Sequence, residues 1–417
     1  MAKRALIMII DACGIGSMPD WAEYDEVAPA NTLASVCKWS YENRGGIALK
    51  NLSELGLANI IPLVGLSPHS KPIGSFGKMA ELNNAKDTIT GHWEMMGVKA
   101  KNLFPYYPDG FPESIISEFK KQTGVTGIYG NKAASGTEII NEYGDEHAKS
   151  GWPIVYTSAD SVMQIAADIG VVPIETLYHW CKLAREIMRG DQEIARIIAR
   201  PYRHNPKVAD TIEAQSTMKL HSSQQKYIRA GDLRHDYSVL PHSKTVMQTL
   251  VEAGREVIGL GKISDIFATV GVTRNIHTDS NADGMEKFLA VLKEKPQQEQ
   301  LVFLNLVETD ANFGHRRDPD GYAQALEAID LRMPEVISAM TADDILFITA
   351  DHGCDPCAAG TDHTREYVPI LMYSPALTAH NLGTRESFAD MGATILEWFS
   401  LQEPELSIQG KSMLCPN

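Results

Sequence analysis

The sequence predicts an α/β fold with a doubly wound parallel core, and three observations carry that expectation. Three short apolar runs each end in acidic or imidazole residues: Ala5 to Asp11, Leu301 to Asp310 and Ile345 to His352. None of them alternates, as expected of central strands covered by helices on both faces. Between them lie stretches of helical period, such as Gly321 to Met340, where Tyr322, Ala325, Leu326, Ile329, Met333, Val336 and Ile337 recur three or four apart. Ligands of such sheets bind beyond the carboxyl ends of the strands, so the three polar tips would share one crevice.

Bulk properties narrow the function classes. A chain of 417 residues has room for two or three domains. With 53 acidic against 38 basic side chains the formal charge is −15, which disfavours a phosphate-backbone partner and argues against nucleic acid. The apolar run behind Lys3 and Arg4 stops at Asp11 without a small-residue cleavage site, so it does not read as a signal peptide. No run approaches the roughly 18 apolar residues of a membrane span. Six cysteines without a regular framework suit a reducing compartment, so a cytoplasmic protein without structural disulfides is expected.

Taken along the chain, Gly14-Ile15-Gly16 follows the first strand but lacks the third glycine of a dinucleotide fingerprint. It reads as a turn, or as a close backbone approach to a metal-bound phosphate. Lys86 to Glu94 is polar until Trp93, where a helix is expected to start; a hydroxyl at its N-terminus beside metals is a candidate nucleophile, and a threonine N-cap is the plain alternative. Gly127 to Gly136 is rich in small residues, and Val171 to Arg189 reads as an amphipathic helix behind Pro173, which suggests a separate module. Arg185, Arg189, Arg196, Arg200 and Arg203 cluster in an otherwise acidic chain, and a solvated helix face is the plain reading. Residues 204–233 are polar and read as an exposed insertion or a loosely packed helix. Cys354 and Cys357 have no second pair and no flanking redox pattern; the Asp-Pro between them is turn chemistry, so they read as a loop near the metals.

The chemistry concentrates on Asp11, Asp310, His315, Asp351, His352 and His363. Each alone reads as a helix cap or a satisfied polar residue. Together, three strands deliver acids or imidazoles to one edge, and six ligands suit two divalent cations with positions left for a substrate oxygen and a nucleophile. The mixed carboxylate and imidazole set favours Mn2+ or Zn2+ over Ca2+.

Longer blocks identify a family. Ile9 to Asp20 (IIDACGIGSMPD), Lys86 to Gly97 (KDTITGHWEMMG), Gly130 to Ile140 (GNKAASGTEII), Pro153 to Ala167 (PIVYTSADSVMQIAA), Ile197 to Tyr202, Arg234 to Tyr237, Gly261 to Phe267, Gly314 to Ala323 and Thr349 to Pro369 (TADHGCDPCAAGTDHTREYVP) resemble the prokaryotic phosphopentomutases of the alkaline phosphatase superfamily, end to end and in order. The resemblance implies an alkaline phosphatase-like core over residues 1–101 and 241–417, with a smaller α/β cap inserted at 102–240. It also implies one ion on Asp11, Asp351 and His352, a second on Asp310, His315 and His363, and Thr88, in preference to Thr90, as the phosphorylated nucleophile. In the same pattern Asp160 would meet the ribose hydroxyls. Arg200, Arg234 and Lys262 would hold the distal phosphate, with Arg196 a further candidate.

The implied activity is interconversion of ribose 1-phosphate and ribose 5-phosphate, and of the 2-deoxyribose equivalents, with two Mn2+ ions and a sugar bisphosphate as activator. A metal-dependent phosphatase or phosphodiesterase on the same core is the alternative; a phosphoglycerate mutase would carry serine as the nucleophile. The chain departs from the family in the polar stretch 204–233, in Glu308 before Thr309 and Asp310, and in Ala268-Thr269-Val270.

Overall fold

A computed structural model describes residues 2–101, 104–158, 161–205 and 226–414. The strands in chain order are β1 (Arg4–Ile10), β2 (Ser75–Met79), β3 (Tyr129–Ala133), β4 (Ile154–Thr157), β5 (Val162–Asp168), β6 (Arg196–His204), β7 (Tyr227–Arg229) and β8 (His235–Ser238). They continue with β9 (Glu256–Leu260), β10 (Arg274–Ile276), β11 (Gln300–Leu306), β12 (Asp344–Thr349), β13 (Val368–Tyr373) and β14 (Asn381–Arg385). The helices are α1 (Thr32–Arg44), α2 (Lys50–Leu55), α3 (Thr88–Met95), α4 (Glu113–Thr123), α5 (Gly136–Ser150), α6 (Ile174–Ile187), α7 (Val246–Glu252), α8 (Ile263–Ile266), α9 (Asn281–Lys293), α10 (Pro319–Ala339) and α11 (Ala389–Trp398). The chain divides into two compact units, Met1–Lys101 with Leu240–Asn417, and Asn102–Val239.

In the first unit eight strands form one sheet in the order β10-β9-β11-β1-β12-β13-β2-β14. Only β13 runs against the others. β1 lies between β11 and β12, parallel to both, with Ile10 opposite Leu306 and Ile9 opposite Thr349. All seven residues of β1 and of β11 are buried, which is why both read as unbroken apolar runs. Successive residues of β11 face opposite sides of the sheet. Leu304 and Leu306 face Gly284 of α9, whereas Phe303 meets His92 of α3 and Phe267 behind α8. The sheet is therefore covered on both faces.

The second unit holds β3-β4-β5-β6-β7 with β8 also paired to β6, in a mixed arrangement. Val155, Met163, Ile165, Ala167, Ile197 and Ala199 pack against α4 and α6. Ile154, Tyr156, Ala166, Tyr202 and Tyr227, on the other face, pack against Ile139 and Ile140 of α5.

Some sequence expectations need correction. The helix expected from Trp93 begins at Thr88, because Asp87 supplies a cap five residues earlier. The strand expected to run to Asp310 stops at Leu306, and Thr309–Gly314 form a π-helical turn. The clustered arginines are not one helix face: Arg185 lies in the last turn of α6, while Arg196, Arg200 and Arg203 lie on β6. Of the polar stretch 204–233, the described part includes β7 and a short 3-10 turn at Gly231–Leu233; residues 206–225 lie outside the described residues.

Candidate metal and phosphoryl-transfer site

Three adjacent parallel strands deliver the donors. Asp11 follows β1, and Asp351 and His352 follow β12. Asp310 lies in the wide turn behind β11 and His315 follows it, and the His315 amide donates to the Asp310 carbonyl five residues back at 3.2 Å. That i+5 closure brings the two side chains together, with Nε2 of His315 3.4 Å from Oδ1 of Asp310. Ala12 adopts a left-handed φ of 66°, a strain of roughly 1 kcal/mol for a residue with a Cβ. In exchange its amide donates to Oδ1 of Asp351 at 3.1 Å, tying the ends of β1 and β12 together.

The three imidazoles are oriented alike. His315, His352 and His363 place Nδ1 on the carbonyls of Thr361, Gly353 and Lys86 at 2.6, 3.1 and 2.8 Å. With Nδ1–H donating there, each Nε2 lone pair is left facing the site. Nε2 of His363 lies 3.0 Å from Nε2 of His315 and 3.4 Å from Oδ1 of Asp310. Nε2 of His352 lies 3.6 Å from Oδ1 of Asp11 and 3.5 Å from Oδ2 of Asp351.

Donors about 2.1 Å from a tetrahedral ion sit about 3.4 Å from one another, so both trios have the spacing that a divalent cation asks for. Oδ1 of Asp11, Oδ1 of Asp310 and Oδ2 of Asp351 are buried and have no hydrogen-bond partner among the described residues. Uncompensated buried carboxylate oxygens are costly without a cation, so the donor set fits two divalent metals.

Electrostatics agree. Burial pushes Asp11 up, and Asp351 and Asp310 push it further. Burial also opposes ionisation of Asp310 and Asp351, but His363 and His315 hold Asp310 well below the usual carboxylate range. His352 and His92 bring Asp351 down to about 2. Burial lowers His352, keeping it the neutral ligand that a metal requires. Lys262, the N-cap of α8, faces this cluster closely enough to lower Asp11.

Thr88 is the first residue of α3. The Asp87 carboxylate caps the helix, accepting from the amides of Ile89 and Thr90 at 2.9 and 3.2 Å. The Thr90 hydroxyl is buried and donates to Oδ2 of Asp87 at 2.8 Å. The Thr88 hydroxyl instead lies 3.2 Å from Nε2 of His352, at the metal donors. Gly91 lets α3 come this close: a Cβ there would collide with the Asp351 carbonyl oxygen.

Several supporting side chains carry no motif signal of their own. His92, one turn after Thr88 and fully buried, puts Nδ1 2.8 Å from the Thr88 carbonyl and 3.3 Å from Oδ2 of Asp351; its i+4 spacing from Thr88 was the available clue. Glu94 accepts from the amides of Leu82, Asn83 and Phe388 and from the Ser387 hydroxyl. Glu366 accepts from the amides of Gly16 and Thr32 and the hydroxyls of Thr32 and Thr364, joining the loops behind Asp11 and His363.

In the second unit Arg196 and Arg234 share Asp236 at 3.6 and 2.7 Å, and Arg200 lies one pleat repeat beyond Ile198 on the same face of β6. Asp160 lies outside the described residues. Cys354 falls within a possible ligand group with Asp310 and His315, a grouping that does not include Cys357. Both cysteines are free thiols.

Comparison with known proteins gives the lineage. Residues 3–403 match the Metalloenzyme superfamily. The phosphopentomutase of Alkaliphilus metalliredigens (strain QYMF) is 45% identical over 404 residues, covering 97% of this chain and 97% of its own. The phosphopentomutases of Caldanaerobacter subterraneus subsp. tengcongensis and of Desulfitobacterium hafniense (strain DCB-2) are each 44% identical, covering 96% and 99% of this chain and 95% and 99% of their own. No helix among the described residues is long and apolar enough to cross a membrane. With identity of this level along nearly the whole chain, the protein belongs to the phosphopentomutase family of the metalloenzyme superfamily.

Proposed function

We propose that the chain interconverts ribose 1-phosphate and ribose 5-phosphate, and their 2-deoxyribose counterparts, by passing a phosphoryl group through Thr88. The observation that carries this reading is the Thr88 hydroxyl at the start of α3, 3.2 Å from His352 and beside six converging metal donors. A sugar bisphosphate primes the threonine: a bond forms from Oγ1 to phosphorus, the sugar oxygen–phosphorus bond breaks, and the proton lost from the threonine ends on the released sugar oxygen. The sugar oxygen at C1 or C5 then attacks phosphothreonine in the reverse sense.

Asp11, Asp351 and His352 would hold one divalent ion and Asp310, His315 and His363 the other, with Mn2+ as the ion we assign and Zn2+ as the nearest substitute. Two such ions supply positive charge to the phosphoryl oxygens and lower the pKa of the attacking hydroxyl. The protein's own part is to hold Thr88 in line through Asp87, Gly91 and His92. We assign Asp160 to the ribose hydroxyls, and Arg196, Arg200, Arg234 and Lys262 to the phosphate that stays on the sugar. The reading carries with it a cytoplasmic enzyme, in keeping with the five free thiols among the described residues.

Phosphorus NMR of the Mn2+-loaded protein with ribose 5-phosphate and a trace of sugar bisphosphate tests it. Ribose 1-phosphate without inorganic phosphate is the expected result. Inorganic phosphate as the main product would replace the mutase by the phosphatase or phosphodiesterase alternative.

A further inference from the structure

The ladder between β1 and β11 breaks just beyond the strands, and a side chain takes over from it. Ile10 lies opposite Leu306, and the Asp11 amide still donates to the Leu306 carbonyl at 3.2 Å. In a parallel ladder the next bond would run from the Glu308 amide to the Asp11 carbonyl. Glu308 instead gives its amide to Oδ1 of Asn281 at 3.2 Å, while its own Oε2 accepts from the Asn281 amide at 3.0 Å. This pairing fastens the start of the π-helical turn to the first residue of α9. The Asp11 carbonyl is left to the hydroxyl of Thr309, a residue that is 0% exposed, which donates to it at 2.6 Å.

Thr309 immediately precedes Asp310, so its hydroxyl joins the backbone of a donor to one ion to the turn that carries a donor to the other. The neighbouring Ala12 is gripped as well. Its amide donates to Oδ1 of Asp351, and its carbonyl accepts from the Tyr322 hydroxyl and the Cys354 amide, each at 3.1 Å. Asp11 and Asp310 each keep a buried Oδ1 without a hydrogen-bond partner among the described residues, and Asp310 is near enough to oppose the ionisation of Asp11. Two carboxylates so placed repel each other until cations enter. A bond between the backbone of one and the turn of the other resists that separation before either ion binds. Threonine suits the task, because two heavy atoms on Cβ restrict χ1 and hold the hydroxyl on its bearing.

We propose that Thr309 is a positioning residue of the two-ion site, whose hydroxyl on the Asp11 carbonyl sets the spacing of the two donor sets and so couples the binding of one ion to that of the other. Binding at Asp310, His315 and His363 orders the π-helical turn. Through Thr309 that order reaches Asp11, and by linkage binding at Asp11, Asp351 and His352 favours the turn equally. The proposal rests on the two-ion reading of the site, not on which phosphate ester is turned over.

Mn2+ titration of the chelator-treated full-length protein, followed by electron paramagnetic resonance, tests the link. The signal of free Mn2+ counts the ions bound, and the low-temperature spectrum shows whether the bound pair is spin-coupled. Wild-type protein is expected to take up two ions cooperatively and to show the coupled spectrum. Thr309→Val, which keeps the branched shape and loses the hydroxyl, should bind the ions independently, hold the second roughly tenfold or more weakly, and show weaker coupling. Thr309→Ser keeps the hydroxyl and should follow the wild type, whereas Thr309→Ala should follow Thr309→Val; this second pair decides the question even where Thr309→Val does not fold. Unchanged cooperativity and coupling in the variants without a hydroxyl would overturn the proposal, and so would their loss in Thr309→Ser, which would assign the effect to packing of the methyl group. A lower metal-free melting temperature with both binding steps and the coupled spectrum intact would show a merely structural hydroxyl and overturn it too. Wild-type protein that takes up a single ion removes the two-ion reading itself; a coupled pair in the wild type that survives Thr309→Val and Thr309→Ala removes the role of Thr309 alone.

Discussion

Arg365 is the strongest test of how the fold positions Thr88. It lies two residues after His363, and its side chain is 2% exposed. Nη1 donates to Oε2 of Glu81 at 2.8 Å and to the carbonyls of Asn83 and Ala85 at 2.8 and 2.6 Å. Nη2 reaches Oδ2 of Asp20 and the Glu81 carbonyl at 3.0 and 2.9 Å. Its guanidinium also stacks 4.7 Å over Tyr24. Residues 81–85 lead directly into Asp87 and Thr88, so this one side chain fastens the segment before Thr88 to the loop that bears His363.

Arg365→Leu leaves Glu81, also 2% exposed, as an uncompensated buried charge, and strips three carbonyls of their donor. Removing one partner of a buried pair costs about 3–5 kcal/mol. The first unit has about 280 residues, so its unfolding entropy is about 0.6 kcal/mol/K and the melting temperature should fall by about 5–8 °C. Scanning calorimetry reads this, taking as the first unit's transition the one that added divalent ion raises. The double variant Glu81→Leu with Arg365→Leu should recover part of the loss, since no charge is then stranded. A shift below about 1 °C, or strictly additive losses in the pair, would refute the reasoning.

Thr88→Ala should reduce turnover to background with the melting temperature unchanged to within about 1 °C, because its hydroxyl touches only His352 among the described side chains; an active alanine enzyme would sink the covalent route, and Thr88→Ser should keep measurable mutase activity. His92→Phe preserves the ring against Phe303 but loses the contact to Asp351, so divalent-ion affinity followed by thermal-shift titration should drop roughly 10–100-fold, and unchanged affinity would show that His92 does not orient the ligand. Burial raises Cys357 to about 11, and a thiol reacts only as thiolate. Its alkylation in the native protein should thus be slow at pH 8 and climb about tenfold per pH unit towards 11, whereas buried Cys13 and Cys37, each pushed to about 12 by burial, should stay unlabelled. Peptide mass spectrometry checks the order, and labelling of Cys13 before Cys357 would contradict it.

What the sequence by itself determined is the set of elements whose signal is local. β1, β11 and β12 are buried on both faces and so are apolar throughout, and an acid or imidazole just past an apolar run can be seen without knowing what lies beside it. Helices α6 and α10 likewise announced themselves by period, α6 also by Pro173 before its start. The arginines on β6 were legible only in part: alternation of Arg196, Ile198, Arg200 and Tyr202 marks one face of a strand, but five arginines in a short stretch weigh more heavily on composition than on period.

Tertiary structure alone decided the rest. Asp310 reaches the site through a π-helical turn whose i+5 bond no residue preference announces. The resemblance already preferred Thr88 to Thr90, but only the structure shows that the Asp87 cap consumes the Thr90 hydroxyl, and Gly91 matters only because the Asp351 backbone lies against it. Arg365 and Glu366 sit in a recognisable block, yet their partners are up to some 350 residues away in sequence. Local pattern reports what a residue needs, burial or a cap or a turn; which distant group meets that need is settled only when the sheet order places β11, β1 and β12 side by side.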